Sequence, residues 1–274
     1  MAILQHIVDC LRLVREKRPL IHHLTNYVSI NDCANVTLGI GASPVMAEDR
    51  GEVAEIVAQA SALVLNIGML NPPKLEAMLT AGKGAAQKGI PIIFDPVGVG
   101  ASTMRREAAA RIVAELPVTV IRGNLAEIKA LLGLRGAPRG VDSPATEEDN
   151  REIARRLSEK LACVVAITGK TDVVAAGRRI CHIHNGHPLL AGITGTGCMT
   201  GSLIAGFCSV ANDPFSGAVA GIAVMGIAGE LAEQSLAARE GPGTFRIRLL
   251  DSIAAMKPET LLPLIKLSES LYEE

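Results

Sequence analysis

Cys198 stands inside the run AGITGTGCMTGS (191–202), where glycines and threonines open onto an apolar stretch of helical pattern. A glycine-rich turn feeding a helix bares backbone N–H groups at the positive end of the macrodipole, and the two together hold anions such as phosphate. Gly195 and Gly197 would free those N–H groups, and Thr194 and Thr196 could add hydroxyl donors. Without a ligand the same residues would make a plain helix N-terminus. A carboxylate or an imidazole is the expected base beside a phosphate; this chain offers a thiol.

A second constellation lies in IRGNLAEI (121–128), with Arg122 at an expected strand end, Asn124 at an N-cap and Glu127 three residues on. That spacing is a capping box in its own right. Beside a nucleotide the same residues become a guanidinium for the transferring phosphoryl group and a carboxylate for Mg²⁺ or its waters. Asp95, closing the apolar run PIIF, is a second carboxylate on the metal side. Two other nucleotide motifs fail. ITGKT (167–171) has the Gly-Lys-Thr of a P-loop, but Val164 occupies the position that needs the first glycine. GTGCMT falls in the last third of the chain, with no strand after it, which excludes a dinucleotide fingerprint. His182, His184 and His187 have a spacing that could coordinate a metal, but two of them alternate on a strand, and they are not read as a metal site. His22 and His23 are read as support for the Thr25–Asn26 strand end.

The elements that must position these groups follow from periodicity. Short β-branched runs predict strands at 20–24, 43–46, 62–67, 91–95, 118–122 and 163–167, and helical patterns fall at 2–17, 29–40, 50–60, 73–89, 104–115, 124–133 and 147–160. This alternation predicts an α/β fold with a mostly parallel central sheet and helices on both faces. A hairpin around Ala176–Gly177 then precedes the glycine loop and two long apolar helices. The stretch 133–149 is read as a surface excursion, so residues 1–274 are taken as one domain. Thr25–Asn26, Met46–Glu48, Asn66–Gly68, Asp95–Gly98, Arg122–Asn124 and Thr168–Gly169 all follow strands. Ordinary turn chemistry explains any one of them. Six in succession mark the crevice at the carboxyl ends of an open sheet.

Composition agrees with a parallel sheet under helices: 49% of the residues are hydrophobic, 2% are aromatic and Trp is absent, which leaves Ala, Val, Ile and Leu to build the core. A net charge of −1 with no extended basic run excludes the electrostatic footprint of nucleic-acid binding. The uncharged stretches 199–212 and 214–229 are shorter than the roughly 18 residues of a membrane helix and are read as buried. The N-terminus has Asp9 within its apolar pattern and no cleavage site, so no signal peptide is expected. Six cysteines without a C-x-x-C pair fit a reducing cytoplasm, five of them as core residues.

In order along the chain, HHLTNYVSINDCAN, GASPVMAE, ALVLNIG, DPVGVGAS, IRGNLAEI, AITG, HNGHPLL, ITGTGC and GPGTF resemble the hydroxyethylthiazole kinases, which are ribokinase-like enzymes of thiamine salvage. The resemblance implies ATP-dependent phosphorylation of the primary hydroxyl of 4-methyl-5-(2-hydroxyethyl)thiazole, with Mg²⁺, by a homotrimer whose active sites lie between subunits. Position by position it implies a thiazole pocket at Asn26, Val28, Met46 and Gly68, with Gly195 also near the substrate. It implies ATP contacts at Arg122 and Thr168, an anion hole at Gly195 and Gly197, and Asp95 and Glu127 on the Mg²⁺ side. Catalysis would fall to Cys198 and Arg122. The wider superfamily carries an aspartate base where Cys198 stands, whereas thiazole kinases commonly carry cysteine. Other readings on this fold are a hydroxymethylpyrimidine kinase, a nucleotide-dependent dehydratase and a non-catalytic nucleotide-binding regulator.

Overall fold

The computed structural model describes residues 2–134 and 147–272, so most of the expected excursion at 133–149 lies outside the described residues. Nine strands form one sheet: β1 (Leu20–Leu24), β2 (Ser43–Met46), β3 (Ala62–Asn66), β4 (Ile92–Asp95), β5 (Val120–Asn124), β6 (Val164–Thr168), β7 (Asp172–Ala176), β8 (Arg179–Ile183) and β9 (Leu267–Leu271). Their order is β2-β1-β3-β4-β5-β6-β7-β8-β9. The first six run parallel, and β7, β8 and β9 continue antiparallel. The helices among the described residues are α1 (Ala2–Lys17), α2 (Ile30–Gly39), α3 (Val53–Gln59), α4 (Pro72–Lys88), α5 (Thr103–Glu115), α6 (Leu125–Leu131), α7 (Glu147–Leu161), α8 (Thr196–Cys208), α9 (Pro214–Gln234), α10 (Pro242–Ala255) and α11 (Pro258–Leu261).

Period-2 alternation in the strands divides the core. On β3, Ala62 and Val64 face a cluster that includes Leu203 of α8 and Val219 of α9, while Leu63 and Leu65 face one that includes Val57 of α3 and Ala81 of α4. Strands β3 and β4, buried on both faces, read as continuous apolar runs and carry their polar residues, Asn66 and Asp95, at their carboxyl ends. Helices α8 and α9 meet at backbone distance: a Cβ on Gly221 would lie 2.6 Å from the Ile204 amide nitrogen. That contact seats α8, whose N-terminus holds the glycine loop.

Three expectations need correction. The strand expected at 118–122 is Val120–Asn124, so Arg122 sits in mid-strand opposite Ala166 and not at the strand end. The cause is local: Asn124 caps α6 through a complete capping box with Glu127, so the backbone stays extended until Leu125. The stretch read as too short for a membrane helix is a 21-residue helix, α9, long and apolar enough to cross one; here 89% of its apolar window is buried against the rest of the fold. The antiparallel edge strand β9 was not anticipated; it adds Leu267–Leu271 alongside Arg179–Ile183. The five cysteines read as core (10, 33, 163, 181 and 208) are buried, and all six are free thiols.

Candidate active site

The carboxyl ends of β1, β3, β4, β5 and β6 meet the N-terminus of α8. Gly195 is the N-cap residue of α8, with φ +90°, and a Cβ there would stand 2.9 Å from Ser29 Cβ. Only glycine takes that backbone conformation without strain while passing so close to α2. Cys198 follows in the first turn and is half-buried, unlike the other cysteines.

Two carboxamides hold the thiol. Asn26 donates to Cys198 Sγ at 3.3 Å and to Asn66 Oδ1 at 3.1 Å. Asn66 in turn donates to Sγ at 3.2 Å and to Asp95 Oδ2 at 2.8 Å. Asn26 Oδ1 accepts from both the amide and the hydroxyl of Ser29 at 3.1 Å. Asn26, Asn66, Asp95 and Cys198 therefore form one buried polar chain. Burial raises the Cys198 pKa above its ordinary 9.0, the nearby Asp95 raises it further, and hydrogen bonds from Ser29, Asn26 and Asn66 oppose both. At neutral pH the group is a thiol.

Asp95 is fully buried. Burial pushes its carboxyl up to about 6 against the pull of Arg122, and Glu127 adds to the rise. Arg122 Nη1 lies 3.6 Å from Asp95 Oδ1, outside hydrogen-bond range, and its Nη2 donates to Thr168 Oγ1 at 2.5 Å. Asp95 Oδ1 and Arg122 Nε are both buried without a hydrogen-bond partner. Such orphaned groups are rare and point to a ligand that satisfies them. Gly197 exists for the guanidinium, since a Cβ on it would lie 2.9 Å from Arg122 Cζ.

Glu127 is held from two sides: Oε1 accepts from the Gly98 amide at 2.9 Å, and Oε2 from the Asn124 amide at 2.8 Å. It closes the capping box and also ties the β4 loop to α6. Glu127 is near enough to raise the Asp95 pKa, and both are hard-oxygen donors of the kind that hold Mg²⁺, which binds through one or two carboxylates plus substrate phosphates. The buried, unpartnered Asp95 Oδ1 fits that use. No cluster of three or more His, Cys, Asp or Glu stands ready for a metal among the described residues.

Beside this centre opens a cavity of about 800 Å³, lined by Arg122 and Thr168 from the sheet, by Gly197 and Thr200 from α8, and by His184–Pro188, Leu190 and Ala191 on the other side. Its size is that of a site for a nucleotide-sized ligand. Sequence reasoning left several of its residues without a role. Asp172 caps the Gly169 amide at 2.8 Å, and burial pushes its carboxyl up to about 7. Asn185 bridges Glu230, the Leu264 carbonyl and the Lys266 amide, which anchors the segment holding His184 and His187. The run HNGH after a strand was the available signal, but nothing local showed that it folds back across the crevice.

Gly68 lies against the carboxamides, its amide donating to Asn66 Oδ1 at 2.9 Å. Arg105 fixes this turn and its neighbour by donating to the Gly68 and Val97 carbonyls, each at 2.6 Å. Met46 is half-buried at the end of β2, level with His23. Val28, by contrast, is 63% exposed, and Tyr27 next to it in the chain and Met69 next to Gly68 also stand out in solvent. Asn26 thus holds the thiol with Gly68 packed against it, Gly195 caps the helix that carries Cys198, and Val28 points to solvent. His22 and His23 brace the β1 end, bonding to the Ala47 carbonyl at 2.8 Å and to Ser202 Oγ at 3.1 Å.

Comparison with known proteins supplies the context for this geometry. Residues 11–259 match the model of the hydroxyethylthiazole kinase family. The hydroxyethylthiazole kinase of Ruminiclostridium cellulolyticum is 48% identical over 89% of this chain and 90% of its own, and that of Methanocella arvoryzae is 49% identical over 92% and 94%. The solved structure of a hydroxyethylthiazole kinase from Pyrococcus horikoshii superposes with a TM-score of 0.88 at 36% identity, covering 96% of this chain and 98% of that one. A Bacillus subtilis pyridoxal kinase in an ADP complex, at 17% identity, a TM-score of 0.57 and coverage of 76% and 90%, shares the fold. A parallel sheet whose strand ends converge on a glycine-capped helix is a fold shared with a ribokinase-like superfamily protein of Enterococcus faecalis, and, matched over nearly its whole length by hydroxyethylthiazole kinases, this chain belongs to the hydroxyethylthiazole kinase family.

Proposed function

We propose that this protein transfers the γ-phosphoryl group of ATP to the primary hydroxyl of 4-methyl-5-(2-hydroxyethyl)thiazole, as a step of thiamine salvage. Cys198 carries the reading: its thiol accepts from Asn26 and Asn66, while its chain neighbours Thr196 and Gly197 line the 800 Å³ cavity together with Arg122 and Thr168. The thiazole would lie on the side of the carboxamides, with Asn26, Met46, Gly68 and Gly195 around it, and ATP in the cavity. The whole chain acts as one kinase domain in this reading. A cytoplasmic location agrees with six free cysteines.

Phosphoryl transfer runs through a loose transition state, so positioning and electrostatics supply most of the rate. Backbone amides of the Gly195–Cys198 turn, at the positive end of α8, and the Arg122 guanidinium would take the charge that develops on the transferring group. The neutral thiol, held by two carboxamides, orients the hydroxyl as an acceptor for its proton. The hydroxyl proton leaves late, to an oxygen of the transferred phosphoryl group, so no ionised base is needed at Cys198. Asp95 and Glu127 would hold Mg²⁺, which when bound neutralises charge on the phosphate oxygens.

We further propose a homotrimer with its sites between subunits. Exposed Tyr27, Val28 and Met69 support it, because an apolar rim beside a half-built pocket is completed by a partner surface. One assay tests the function: ATP consumption with hydroxyethylthiazole against hydroxymethylpyrimidine and other vitamin precursors, with the product mass measured. Phosphorylation of hydroxyethylthiazole at the highest kcat/KM is expected. Preference for another alcohol, or nucleotide turnover linked to dehydration, overturns the reading.

A further inference from the structure

Lys74 is a buried lysine in an unfavourable place. It is the third residue of α4, after the Asn71 N-cap and two prolines, and its side chain is 5% exposed. An ammonium at that end of a helix opposes the macrodipole, and burial adds a desolvation cost. A role in α4 alone gives no reason to keep it there.

Its partners give the reason. Lys74 Nζ donates to the Thr25 carbonyl, lies 2.5 Å from Glu48 Oε2 and sits 5.0 Å from the centroid of the Tyr27 ring. Tyr27 closes the ring of contacts by donating its hydroxyl to the other oxygen of Glu48. Thr25 and Tyr27 flank Asn26 in the loop after β1, and Glu48 lies in the loop after β2, two residues beyond Met46 at the strand's end. A single ammonium therefore clamps together the loop that carries Asn26 and Val28 and the loop that follows Met46.

We infer that Lys74 is a positioning residue for the thiazole pocket, fixing the β1 and β2 loops so that Asn26 meets the substrate in register with Cys198. This rests on the thiazole reading of that pocket. The ammonium touches neither the 800 Å³ cavity nor Arg122, so its effect falls on one substrate and spares the other. Small misplacements of positioning groups cost up to about 10²-fold. For Lys74→Met we expect a thiazole KM raised about tenfold or more, with the ATP KM within about twofold and kcat at saturating thiazole within about threefold, the signature of lost substrate binding. Glu48→Gln keeps the shape and removes the counter-charge, and should shift the thiazole KM in the same direction by about threefold. Should Lys74→Met fail to fold, Glu48→Gln decides. A thiazole KM that does not move, or that rises together with the ATP KM as kcat falls, overturns the inference. Asn26→Ala serves as the control. If it raises the thiazole KM and the Lys74 and Glu48 variants do not, the clamp fails and the pocket stands; if it too leaves the KM unchanged, the pocket assignment fails and the clamp with it.

Discussion

Replacing Cys198 by aspartate separates a thiol that orients from a thiol that must ionise. At its ordinary value of 9.0 a thiol is about 1% ionised at pH 7, and Cys198 lies higher because of burial and Asp95, so less thiolate than that is present. A carboxylate at the same place would be largely ionised, a gain of about 10²-fold or more in the base-competent fraction at neutral pH. Its lower basicity takes back part of that gain, but only weakly, because a loose transition state leaves the proton on the alcohol until late. Asn26 and Asn66 already point N–H donors at 3.3 and 3.2 Å toward the position and would solvate an anionic oxygen. Against this, a second carboxylate beside Asp95 raises like-charge repulsion. We expect Cys198→Asp to retain kcat or raise it by up to about tenfold, and to cost roughly 1–3 kcal/mol of stability. Cys198→Ala should slow kcat by about 10- to 10²-fold, since the glycine turn and Arg122 remain. The assay is steady-state kcat with a thermal melt on both variants. A Cys198→Asp enzyme that melts like the parent yet is inactive would refute the reasoning, as would complete loss in Cys198→Ala, which would indicate a covalent phosphocysteine.

Arg122→Ala should lower kcat by about 10²–10³-fold with a smaller change in thiazole KM, because the guanidinium faces Thr168 and the cavity and not Asn26; steady-state kinetics with an unchanged kcat would sink its assignment. His23, buried and lowered to about 4, binds fewer protons folded than unfolded between pH 6.5 and 4, so stability should fall by about 3 kcal/mol as pH drops through that window. Urea unfolding at pH 7 and pH 4.5 should show a smaller acid loss in His23→Gln, and an identical loss contradicts the sign. Sedimentation at assay concentration should give a trimer, and a fully active monomer would refute the shared site.

Much of this protein is written in its local pattern. Alternating β-branched and helical runs specify a parallel sheet between helices because side-chain periods of 2 and 3.6 are properties of each segment alone. The glycine turn before α8 and the Asn124–Glu127 capping box are likewise local, since φ +90° at Gly195 and a four-residue box need no distant partner. Tertiary structure decided what those segments meet. Strand order set β1 beside β3 and β3 beside β4, which brought Asn26 and Asn66 onto a thiol 172 and 132 residues away. The antiparallel β7 and β8 carried His184 and Asn185 back over the crevice to wall the cavity, a placement that no spacing in HNGH specifies. No pattern in the sequence singles out Lys74; its burial follows from Thr25, Tyr27 and Glu48 arriving on the loops after two other strands. Sequence pattern determines where a polar group can be tolerated, whereas its pKa and role depend on desolvation and partners that exist only once distant strand ends converge.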